Sequence, residues 1–137
     1  LVVVLLFNAR SHRRWREYFL ARPTMELCDW ATCYFPECDE SQRRIVCELA
    51  RVIASSIGCH ATQVLPSDSM DGRLLLPRIA LLAREDESED WWDAICKMAT
   101  QYGLPNGADS TRVLHADSWR TFGDMAREVA ECFSRAQ

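Results

Sequence analysis

The stretch that decides the fold is Asp39–Gly58, DESQRRIVCELARVIASSIG. Its opening, Asp39-Glu40-Ser41-Gln42, is an Asp-x-x-Gln capping box, in which the Asp39 carboxylate accepts from a free first-turn amide and the Gln42 side chain reaches back. Ile45, Leu49, Val52, Ile53 and Ile57 then recur at helical spacing, and Gly58 supplies the stop. The pattern predicts a helix of about 17 residues with one apolar face. Such a face has to be covered, so the flanking segments are read for elements that can cover it.

Upstream, residues 10–21 fit a basic helix that stops before Pro23, because proline disfavours helix in the residue ahead of it. Thr24 offers a cap for a short helix over 25–35, ended by Pro36. Downstream, residues 58–72, GCHATQVLPSDSMDG, read as a loop from their Pro, Ser, Asp and Gly content, with Val64 and Leu65 as apolar plugs. Residues 74–83, LLLPRIALLA, are interrupted by Pro77 and fit either a short extended piece or a helix starting near that proline.

Helical spacing returns from Ser88, with Trp91, Ile95, Met98 and Tyr102 on one stripe, Trp92 at its edge, and Gly103 and Pro105 ending it. A second loop, residues 105–120, leads to a last helix. Thr121 caps it, Asp124 sits in its first turn, and Phe122, Met125, Val129, Cys132 and Phe133 form its buried stripe. The expected fold is mainly α. It is a small helical bundle over residues 23–137, preceded by a basic segment, 1–22, as an N-terminal helical extension.

The bulk numbers agree with one globular unit: 137 residues, 48% apolar and 26% charged, enough to bury a modest core. Charge is unevenly placed. Residues 1–22 hold five arginines against Glu17, a balance of +4, so a total of −4 leaves −8 on the remainder. An acidic body excludes nucleic-acid binding by the folded part, which would require Lys and Arg to neutralise phosphates.

The first seven residues, LVVVLLF, are too few to span a bilayer, which takes about 20. Followed by clustered arginines and by Trp15, Tyr18 and Phe19, they have the pattern of the cytoplasmic end of a membrane helix whose remainder lies upstream of Leu1. A buried strand or helix start that completes the core reads the same residues without a membrane. The basic residues follow the apolar run, the reverse of a signal peptide.

Seven cysteines, an odd number spread through helical segments, do not form a secreted disulfide framework and are expected to be reduced, mostly buried thiols. Cys28, Cys33 and Cys38 recur every five residues, which on a helix turns successive side chains by about 140° and is poor geometry for zinc. His12, His60 and His115 have no partner fixed by spacing and read as surface or loop residues. No nucleophile elbow, phosphate loop, metalloprotease helix or dinucleotide fingerprint is present.

Residues 84–92, REDESEDWW, join an acidic run to two tryptophans. Ser88 fits an N-cap there, and Glu89 and Asp90 favour the positive end of the helix dipole.

From residue 41 to 134, about two-thirds of the chain, the order of elements resembles the acyl carrier protein family. A helix ends in IASSIGCHATQVLPSDS, a long loop follows, a second helix ends in QYGLP, and the last helix opens with TFGDMAREV. In that family the first helix ends in a Gly before a Pro/Ser/Asp-rich loop with buried plugs, and the last opens with Thr-Val-Gly-Asp-Leu. Thr121-Phe122-Gly123-Asp124-Met125 is the most specific match.

The resemblance implies a site as well as a fold. In carriers, a Ser in an Asp-Ser-Leu motif at the start of the second helix holds a 4′-phosphopantetheine arm, and counting back from Tyr102 puts that position at Ser88. There the phosphodiester would meet the positive helix end. In this chain Glu87 and Glu89 flank Ser88 in place of Asp and Leu. That change removes an apolar contact and sets like charges beside the phosphodiester.

The expected function is therefore a non-enzymatic, acyl-carrier-like interaction module without a cofactor, in the cytoplasm or on the cytoplasmic face of a membrane. Its acidic second helix would suit a basic protein partner. The alternatives are a divergent carrier with 4′-phosphopantetheine on Ser88, and a small cysteine-dependent enzyme.

Overall fold

A computed structural model of the chain describes residues 13–14, 16–69, 95–102, 114 and 118–135. The helices among them are α1 (residues 16–20, with 13–14 also helical), α2 (Leu27–Tyr34), α3 (Glu40–Ile57), α4 (residues 95–101) and α5 (Phe122–Arg135). A 3₁₀ turn at Ala61–Gln63 follows α3, and the described residues include no strand beyond an isolated bridge between Ser69 and Thr121. The mainly helical bundle expected from the sequence is what they form.

Helix α3 is the spine, 18 residues long, and both its ends are closed as the residues dictate. Asp39 Oδ1 accepts from the Gln42 amide at 2.8 Å and Gln42 Oε1 accepts from the Asp39 amide at 3.0 Å. At the other end Gly58 adopts φ +86°, a left-handed conformation that costs a side-chain-free residue nothing, and its amide returns to the Ala54 carbonyl. Ile45, Leu49, Ile53 and Ile57 are buried with Val46, Ala50 and Ala54, while Val52 sits half-buried at the edge of the stripe.

The principal partner of this face is α5. Thr121 Oγ1 accepts from the Asp124 amide at 3.2 Å while Asp124 Oδ2 accepts from the Thr121 amide at 3.1 Å, a reciprocal box that fixes the start of the helix. Phe122, Met125, Val129 and Phe133 are fully buried and share one core with the α3 residues. Cys132, expected in that stripe, is half-buried instead, because it lies to one side of the line joining Val129 and Phe133.

Helix α2 begins at Leu27, later than the sequence suggests, and Thr24 is not its cap: Glu26 holds the cap position without a side-chain hydrogen bond. The chain before it is held another way, with the Met25 amide donating to Thr62 Oγ1 at 3.3 Å. Trp30 is the helix's anchor. Its ring lies 5.6 Å from Phe35 and 6.4 Å from Phe122, and its indole Nε1 donates to the Val64 carbonyl at 3.0 Å, which satisfies both polar groups inside the core.

Helix α4 contributes the buried Ile95, Met98 and Ala99. Tyr102 follows, with its ring 6.2 Å from Phe133 and its hydroxyl donating to Glu48 of α3 at 3.2 Å.

Candidate functional site

Ser88 lies outside the described residues, as do the acidic run around it, Trp91, Trp92 and the segment through Pro77. The described features with functional potential are a buried polar junction and a trough between α2 and α3.

The junction joins two segments more than 40 residues apart in sequence. Asp68 is fully buried, and the Arg22 guanidinium grips its carboxylate with both terminal nitrogens, each 2.6 Å from a different oxygen. The remaining capacity of both groups is used as well: Asp68 Oδ2 accepts from the Leu65 amide at 2.8 Å, and Arg22 donates to the Gln63 carbonyl at 2.8 Å.

Gln63, also buried, donates through Nε2 to the carbonyls of Leu20 and Arg22, at 3.2 and 2.7 Å, and accepts from the His60 amide at 2.9 Å. The guanidinium further lies over the Tyr18 and Phe19 rings, 4.9 and 4.7 Å from their centroids. Hydrogen bonding to Asp68, the largest cause, raises the Arg22 pKa against the opposing effect of partial burial. A buried carboxylate and guanidinium are tolerated here because each is paired and hydrogen-bonded.

The same loop carries the last helix. The Phe122 amide donates to the Asp68 carbonyl and the Gly123 amide to the Pro66 carbonyl, both at 2.9 Å. Two of the free amides at the start of α5 are thus satisfied by the loop that Arg22 holds. Val64, one of the two expected plugs, is completely buried, and Leu65 is half-buried.

The trough runs between α2 and α3 as two adjoining hollows of about 510 and 480 Å³, both lined by Leu27 and Arg51. Ala31, Cys28 and Cys47 line the part nearer the start of α3, with Arg43, Arg44 and Glu48. Ala54, Cys59 and His60 line the other part. His60 is exposed, as expected, and caps the 3₁₀ turn: its Nδ1 accepts from the Thr62 amide at 3.4 Å.

Sequence reading missed the trough. Its arginines lie on the polar side of α3, where charge reads as solvent-facing, and what makes a recess of them is the crossing of α2.

The cysteines are free thiols, but the expectation that most are buried is corrected: Cys38 is buried, Cys28 and Cys33 are exposed, and the other four are intermediate. Exposure arises because α2 is short and only the side bearing Trp30 and Ala31 faces the core. Burial pushes the thiols of Cys38, Cys47 and Cys132 up, and that of Cys59 to about 11, each held protonated at neutral pH. Among the described residues no three His, Cys, Asp or Glu side chains converge as metal ligands. No helix of the described residues is long and apolar enough to cross a membrane. No protein-family model, curated protein or solved structure matches the chain.

Proposed function

We propose that the chain is a non-enzymatic, acyl-carrier-like interaction module that works without a prosthetic group, in the cytoplasm or on the cytoplasmic face of a membrane. The observation that carries this reading is the contact between the loop after α3 and the start of α5. These are the two stretches in which the sequence resembles a carrier, and Pro66 and Asp68 of the one accept the amides of Gly123 and Phe122 of the other.

Two further points support it. A cysteine nucleophile needs a lowered pKa, and Cys38, Cys47, Cys59 and Cys132 are shifted the other way. Glu87 and Glu89 beside Ser88 disfavour a phosphodiester there. The acidic run 85–90 suits a basic protein partner, and the α2–α3 trough, lined by Leu27, Ala31, Arg44 and Arg51, is a described surface such a partner can use.

Intact mass after co-expression with a broad phosphopantetheinyl transferase tests the reading. The expected result is no gain in mass, with Ser88→Ala folding within about 1 kcal/mol of the parent as a lost cap would. A gain of one 4′-phosphopantetheine arm that Ser88→Ala abolishes would establish the divergent carrier instead.

A further inference from the structure

The trough holds two thiols, one on each helix that forms it. Cys28 of α2 and Cys47 of α3 line the same hollow. The two helices are joined by residues 35–39, and Met25 and Glu26, just before α2, line the other hollow together with Ala54, Ser55 and Cys59 from beyond the middle of α3. The chain therefore doubles back on itself. Counted from Glu37 at the centre of the connection, Cys28 lies 9 residues back and Cys47 10 residues on, so the two stand at one level of the hairpin.

Rotation about each helix agrees. At about 100° per residue Cys28 is about 60° from the buried Ala31, which lines the same hollow, and Cys47 is about 20° from the buried Ala54. Cys33 turns about 160° away from Ala31, to the outside. The charge of Cys28 acts on Cys47 more strongly than that of Glu48, the next residue in the chain. Cys28 is exposed and Cys47 half-buried, which gives the pair an entry side and an inner side.

We propose that Cys28 and Cys47 form a reversible disulfide that staples α2 to α3 across the trough when the chain meets an oxidised small-molecule disulfide. The Cys28 sulfur attacks that disulfide, one of its thiolates leaves with the proton from Cys28, and a mixed disulfide remains on Cys28. The Cys47 sulfur then attacks the Cys28 sulfur and expels the second small thiol, which takes the Cys47 proton. Two protein thiols are thereby oxidised to one disulfide, and one small disulfide is reduced to two thiols. Burial raises the Cys47 pKa, so the closing step quickens as pH rises. In a reducing compartment the pair rests as thiols and closes on oxidation. The inference does not rest on the proposed function, because thiol state and prosthetic-group transfer are read at different residues.

The test incubates the reduced full chain with mixtures of reduced and oxidised glutathione, blocks free thiols in acid, and maps the products by peptide mass. The expected product is a Cys28–Cys47 linked peptide that outnumbers the mixed disulfide on Cys28 by about tenfold or more, and that excess reduced glutathione reopens. Cys47→Ala is expected to stop the reaction at the mixed disulfide on Cys28. Cys28→Ser, at an exposed position that leaves the core intact, is expected to abolish closure, and Cys33→Ser to leave it unchanged. A mixed disulfide that persists on Cys28 while Cys47 stays free would overturn the proposal. So would a predominant link from Cys28 to Cys33 or to a second copy of the chain.

Discussion

Gly123 lies so close to Pro66 that a Cβ at position 123 would stand 3.0 Å from both the Pro66 Cβ and its carbonyl oxygen. It would also meet the Arg127 guanidinium at 2.7 Å. The arginine tip can move, although doing so disturbs its 2.6 Å bond to Glu37 and its place over the Phe35 ring. The Pro66 backbone cannot move without lifting the loop that holds Asp68. Gly123→Ala is therefore expected to destabilise the protein by about 1–2 kcal/mol, because overpacking outweighs the gain in helix propensity. Urea denaturation checks this, and a stabilised variant would contradict the packing described.

Asp39 closes the first turn of the longest described helix from an exposed position, so its removal isolates the cap from any change in the core. Asp39→Ala is expected to cost about 1 kcal/mol, and Asp39→Ser only a fraction of that. Equal costs for the two would mean that the reciprocal bond with Gln42 contributes nothing.

Cys59 gives a prediction in pH. Burial, the largest cause, raises its folded pKa from 9.0 to about 11, so between those values the folded protein binds more protons than the unfolded chain. Its contribution to stability is complete below about pH 9 and is lost as pH rises towards 11. Alkylation mapped by peptide mass should show Cys59 reacting with a midpoint near 11, and Cys59→Ser should flatten the alkaline part of the stability profile. A midpoint near 9 would show that the thiol is not buried as described.

What the sequence made legible follows physical range. Asp39, Gln42, Gly58, Thr121 and Asp124 act within a turn or two of their own positions, so capping and stop signals could be read directly. The stripes of α3 and α5 follow from periodicity, and each finds its cover in the other.

The pairing of Arg22 with Asp68 carries no such local mark. An arginine after a basic helix and an aspartate in a Ser/Pro loop both read as solvated, and only the tertiary fold desolvates them. Thr24 misled because a threonine before a helical stretch satisfies the cap rule, whereas Thr62 takes the Met25 amide from across the fold. For the candidate site, the resemblance singled out Ser88, outside the described residues. The trough depends on which helix crosses which, and that depends on the non-local contacts.

Arg22 and Asp68 bear most directly on the central claim, that the N-terminal stretch and the loop after α3 form one polar unit on which the start of α5 is held. A double-mutant cycle by denaturant unfolding, with Arg22→Met, Asp68→Asn and their combination, measures it. Arg22→Met is expected to cost about 3–5 kcal/mol, since it leaves the fully buried Asp68 without its partner, and Asp68→Asn less, since Arg22 is only partly buried. The combination should cost less than the two together by about 2 kcal/mol. Additive costs, or an Arg22→Met protein as stable as the parent, would contradict the claim.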